Sequence, residues 1–191
     1  MFIGGDFINK FFKDIFNKGN FKDYFNRNKI FITVSIAILL LSLWSGFTSY
    51  SRYAHILANV GQLYFVSGNP LSVFEGSLIY KIIVILAGFT FSIVSLLLTV
   101  FHGVSVGYLS VTQNFLVTYL PQGIFDLLSQ VFAMVGAFLV TKIEVRLISI
   151  LINRKFDTIY SRIKVPLKDL VLTLVFIIIL SIIALIIGII I

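Results

Sequence analysis

The sequence predicts an all-α fold: a multi-pass membrane helical bundle of about five spans, with amphipathic helices at the interface. Three observations lead there. Hydrophobic residues fill 59% of the 191 positions and charged residues only 12%, where a soluble domain carries roughly a quarter. Mean hydropathy is +1.05, so the apolar surface exceeds what one water-facing globule can hide. Apolar runs also recur near the ~20 residues that a ~30 Å hydrocarbon core requires.

The formal charge is +7. The basic residues cluster beside apolar runs rather than along a groove, which points to anionic lipid headgroups and away from nucleic acid. With no cysteine, disulfides, zinc–thiolate sites, iron–sulfur clusters and thiol nucleophiles are excluded.

Residues 1–29 form a cytoplasmic amphipathic segment. Phe7, Ile8, Phe11, Phe12, Ile15 and Phe16 share one half of a helical wheel, and Asn9, Lys10, Lys13, Asp14 and Asn17 the other. That pattern suits a helix lying in the interface plane, or one packed on the protein's own spans, and Gly19-Asn20 is expected to end it. No basic leader with a small-residue cleavage site precedes the first apolar run, so no cleaved targeting sequence is expected.

Residues 30–191 read as a single membrane domain. Its first span, residues 30–48, is closed by an aromatic belt of Trp44, Phe47, Tyr50 and Tyr53. In the next connection Gly68-Asn69-Pro70 is a turn able to start a helix, with Pro70 in its first turn. Further spans are expected near residues 82–101, 104–120, 123–141 and 170–191. The third contains Ser105, Ser110, Thr112, Gln113, Asn114 and Thr118, so it either faces other helices or re-enters the membrane. Residues 143–164 read as a second interfacial helix.

Charge sets the orientation. Six Lys/Arg lie in residues 1–29, seven in residues 142–168, and only Arg52 in the connection 49–80. The positive-inside rule then places the N-terminus in the cytoplasm and, with five spans, the C-terminus outside a cell membrane. One crossing plus a re-entrant hairpin between residues 80 and 142 would obey the same charges.

The candidate site residues are His102, Gly103, Gly107, Pro121, Gln122, Gly123 and Asp126. Pro121 and Gly123 mark a turn, and Asp126 is expected in the first helical turn beyond it, where free N–H groups favour a carboxylate by about 0.3–1 kcal/mol. An acid at membrane depth can also bind a cation, a proton or a polar partner. His102-Gly103 is expected at a turn between spans, and Gly103-x-x-x-Gly107 permits close helix approach. His55 and His102 make no metal site, and no H-E-x-x-H, G-x-S-x-G or G-x-x-x-x-G-K-[ST] motif is present. No enzyme activity and no cofactor are expected.

The stretch VFHGVSVGYLSVTQNFLVTYLPQGIFDLLSQVFAMVGAFLV, residues 100–140, resembles the central region of the stage II sporulation protein M family of bacterial and archaeal membrane proteins. That family shows phenylalanine-asparagine-glycine with a second glycine four residues on, then proline-histidine-glycine-x-x-glutamate opening an apolar helix. Phe101, Gly103 and Gly107 match the first element, with His102 in place of asparagine. Pro121 and Gly123 match the second, with Gln122 for the histidine and Asp126 for the glutamate. Gln122 cannot titrate, so both changes favour a structural polar network over acid–base chemistry. The resemblance implies a non-enzymatic scaffold or assembly factor for an envelope or membrane complex, with membrane or envelope protein partners or further copies of itself. A small permease or permease subunit is the alternative.

Overall fold

The computed structural model describes Lys13, Ile15 and residues 17–49, 70–111, 120–154, 156 and 159–190. Five α-helices account for nearly all of these: α1 (Lys18–Thr48), α2 (Pro70–Leu86), α3 (Ile93–Leu109), α4 (Leu120–Ile152) and α5 (Ile159–Ile190). A single 3-10 turn, Ala87–Thr90, joins α2 to α3. The predicted all-α bundle is what the chain forms. Four of its helical stretches are long and apolar enough to cross a membrane: Gly19–Thr48, Leu71–Thr90, Pro121–Ile152 and Ile159–Ile190. The fifth, Ile93–Leu109, is shorter.

In the most apolar window of α4, 56% of residues are buried, against 22%, 22% and 28% in the other three long helices. The helix that carries Asp126 is therefore the centre of the bundle. α5 runs antiparallel along it, pairing Gln122 with Gly188 and Gly136 with Thr173. α2 runs parallel to α4, from Asp126 beside Lys81 to Ala137 beside Gly88. α3 returns antiparallel to α2, tied by Ser95 Oγ donating to the Val84 carbonyl at 2.7 Å. The second half of α1 lies along α3. Outward faces carry Leu41, Trp44, Leu97 and Ile190 exposed, surface that only hydrocarbon covers at low cost.

Element boundaries differ from the sequence reading in four places. Gly19-Asn20 opens a helix instead of closing one, because Asn17 caps α1, its Oδ1 accepting from Gly19 N at 3.3 Å. With no proline or glycine in residues 20–45, α1 then runs unbroken from interface to span. Of the amphipathic stretch before it, only Lys13 and Ile15 are described. Lys13 is exposed and Ile15 is buried with Tyr24 and Leu172, so at Ile15 the apolar side packs on the protein itself.

The second difference is the expected span 82–101, which is broken at residues 87–92. Phe91 and Ser92 take left-handed conformations, φ 51° and 60°, at a cost of about 1–2 kcal/mol each for an L-residue. Tertiary contacts hold them there. Thr141 Oγ1 donates to the Gly88 carbonyl at 2.7 Å and shares a hydrogen bond with Ser92 Oγ at 2.7 Å. Gly88 lies so close to Ala137 that a β-carbon would be 2.6 Å from its carbonyl oxygen. The stretch long and apolar enough to cross is thus Leu71–Thr90, in a helix that opens at Pro70 as the turn signal predicts.

Third, residues 104–120 are not one helix of their own: residues 104–109 finish α3, and 112–119 lie outside the described residues. Fourth, the interfacial helix expected over 143–164 is instead the ends of α4 and α5, separated by a turn at Asn153-Arg154. Pro166 sits inside α5 and has no N–H for the Arg162 carbonyl four residues back. The Arg146 guanidinium of α4 donates to that same carbonyl. Arg146→Ala should therefore destabilise the protein in a thermal melt by about 0.5–1.5 kcal/mol, the net worth of one hydrogen bond, since the exposed Arg162 carbonyl can turn to water. Pro166→Ala, which restores the helical donor, should recover most of the loss.

Candidate functional site

α4 starts at Leu120, six residues before Asp126, so the helix is nearly two turns old at this point. Asp126 is therefore not in the first turn, and it is not an N-terminal cap. Its carboxylate points across the bundle to α2, where Lys81 Nζ lies 2.6 Å from Oδ1 and Ser77 Oγ donates to the same oxygen at 2.5 Å.

Lys81 is 1% exposed. An ammonium carries three donors, and here each has an oxygen: Asp126, Ser77 and, at 3.4 Å, Ser181 Oγ of α5. From α3, His102 Nε2 lies 3.8 Å from Asp126 Oδ2. Its ring stacks on Tyr80, centroids 5.5 Å apart, while the Tyr80 hydroxyl donates to the Leu98 carbonyl at 2.5 Å. Four helices thus meet around one charge pair. One turn deeper on α4, buried Gln130 donates from Nε2 to Thr99 Oγ1 at 3.1 Å, and Thr99 leans on Met134 Sδ at 3.5 Å.

The other predicted residues fall into two groups. His102, Gly103 and Gly107 lie inside α3, not at a turn between spans; the turn is at residues 87–92. A β-carbon on Gly103 would overlap the Ser42 hydroxyl, and one on Gly107 would overlap the Leu43 carbonyl of α1. Gly46 of α1 meets Val104 in the same way. The small-residue spacing on α3 therefore does bring two backbones together, meeting Ser42-x-x-x-Gly46 on its neighbour. On α4, Pro121 occupies the first helical turn, and the Gln122 amide lies against Gly188 of α5. Gly123 has open space around it. The structure brings His102 to Asp126, and leaves Gly123 apart.

α1 comes beside the Lys81–Asp126 cluster only where Ser42 and Leu39 meet Gly103. It is tied to α5 by a second one. Arg27 grips Asp169 through two bonds, Nη2 to Oδ1 at 2.6 Å and Nε to Oδ2 at 3.2 Å. Asn28 Nδ2 adds a third at 3.0 Å, and the Tyr24 hydroxyl pairs with Thr173 Oγ1 at 2.8 Å. Phe21, Tyr24 and Phe25 all pack on Phe176.

Sequence reasoning missed Lys81, which it left at the edge of a connection, and the Arg27–Asp169 pair. Among the described residues no group of three or more His, Asp or Glu side chains is placed to hold a metal ion. The chemistry available to the main cluster is charge pairing, hydrogen bonding and protonation. No protein-family model, curated protein or solved structure matches the chain.

Proposed function

We propose that the protein is a non-enzymatic scaffold or assembly factor for a complex of the cell membrane or envelope, of the stage II sporulation protein M type. Its N-terminus is cytoplasmic and its C-terminus outside. The observation that carries this reading is the closure of the Lys81 ammonium. All its donors are satisfied by three helices of the same chain, so a charge costly to keep at membrane depth is consumed in fixing the helices to each other. The Arg27–Asp169 fork does the same for α1 and α5. A rigid bundle with internally spent polar groups leaves partner binding to its ends: the sequence between α1 and α2, and the basic ends of α1, α4 and α5. The orientation is supported by the basic side chains gathered where α4 turns into α5.

A permease or permease subunit is the second reading, and one observation favours it. The buried Gln130 Oε1 has no hydrogen-bond partner among the described residues, an unspent acceptor that a pathway opening beside it would present to cargo.

The two readings separate in native membranes and liposomes. A photo-crosslinker at Tyr53 or Tyr64 should trap protein partners, and purified protein in liposomes should pass no ion or solute above empty vesicles. Robust flux lost in Gln130→Leu, with no partner trapped, would overturn the scaffold and leave the permease.

A further inference from the structure

The end of the bundle beside Asp169 carries charge that the fold does not consume. Lys142 leaves α4 directly after the apolar run AMVGAFLVT and is half-buried. Its Nζ lies over the ring of Phe31 of α1, 5.6 Å from the centroid, and Phe31 in turn packs on Phe138 at 5.3 Å. The charges near enough to act on Lys142 are Arg146, Arg27 and Asp169. Asp169 is already committed to Arg27 and Asn28. Asp23 sits 3.8 Å from Arg27, and Glu144, two positions along the helix, points to another face. Among the described residues, no carboxylate stands within ion-pair distance of Lys142 or Arg146.

We propose that Lys142 and Arg146 bind the phosphate of an anionic phospholipid headgroup, an inference that needs the membrane placement but not the scaffold role. Lys142, Arg146 and Arg27 share this corner with two carboxylates, Asp169 and Asp23, both drawn to Arg27, so an added anion still finds net positive potential beside Lys142 and Arg146. The guanidinium of Arg146 uses one donor on the Arg162 carbonyl and retains others in its planar fork, which suits phosphate oxygens. The lysine ammonium supplies a point charge held in place by the aromatic face below it. Inorganic phosphate presents the same chemistry. The lipid is favoured because Phe31 and Phe138 continue directly from the cationic corner into the apolar part of the bundle, where acyl chains would lie.

The test uses full-length protein stripped of lipid in neutral detergent, with bound lipid counted by native mass spectrometry. Wild-type protein should retain phosphatidylglycerol in preference to phosphatidylcholine. Lys142→Gln should cut that retention about fivefold, the scale set by one basic side chain at an anionic surface. Arg154→Gln, in the exposed turn between α4 and α5, should leave it unchanged. Equal retention by wild type and Lys142→Gln would overturn the site. Displacement of the phosphatidylglycerol by millimolar inorganic phosphate would overturn the lipid as its occupant. Should Lys142→Gln prove too unstable to purify, the wild-type comparison decides, and equal retention of the two lipids would refute the proposal.

Discussion

Asp126→Leu should lower the stability of the detergent-solubilised protein by about 3–5 kcal/mol, the range for removing one partner of a buried ion pair. The effect comes less from the lost attraction than from what remains. Lys81 is 1% exposed and is packed between α2, α4 and α5. Its ammonium would then keep two hydroxyl partners and no counter-charge. Lys81→Leu should cost less, about 1–3 kcal/mol, because the carboxylate left behind is 26% exposed and keeps its bond from Ser77. Asp126→Asn preserves shape and can still accept from Ser77, yet it leaves the ammonium uncompensated and should fall in the class of Asp126→Leu. The double variant Lys81→Leu/Asp126→Leu should be far closer to wild type than either single change, since replacing both members of such a pair is often neutral. Thermal melts of the four proteins check this directly.

Gly107→Ala, a change of one methyl group, should already be harmful, and Gly103→Leu more so. At Gly107 a β-carbon would occupy the place of the Leu43 carbonyl of α1, which is backbone and cannot rotate away. At Gly103 the obstacle is the Ser42 hydroxyl. Both substitutions force α1 from α3 and should cost about 1–3 kcal/mol or more, the usual scale of overpacking. Gly123 supplies the contrast. It belongs to the same family-like motif, but a side chain there meets nothing within 4 Å, so Gly123→Ala should lie within about 0.5 kcal/mol of wild type. Melting temperatures of the three variants, measured in one detergent, decide the ranking.

These predictions trace what could and could not be read in the chain. Fold class and the start of α2 were legible because their causes are local: apolar runs of sufficient length, and a proline whose missing N–H is harmless in a first helical turn. Gly103-x-x-x-Gly107 was legible for the same reason. The break at residues 87–92 was not. Its sequence, AGFTFS, contains no strong turn signal, and it is held open by Thr141 and Ala137, some 50 residues away. Asp126 was legible as a site but not in its role. Counting from Pro121 suggested a cap, whereas the helix starts earlier and its partner is remote. A clue was present. Lys81 is the sole Lys/Arg between Arg52 and Lys142, and Asp126 the sole acid between Glu75 and Glu144. Two lone opposite charges in a membrane-like stretch have strong reason to meet.

The central claim is that the Lys81–Asp126 charge pair fixes the bundle and does no further work. The most direct measurement compares partner crosslinking through Tyr53 in wild type and in Lys81→Leu/Asp126→Leu, at matched abundance and melting temperature. The account predicts equal yields, because an apolar pair of similar volume can hold the same helices together. A double variant that folds and accumulates normally, yet loses its partner or its cellular role, would contradict it and assign the charges themselves a function.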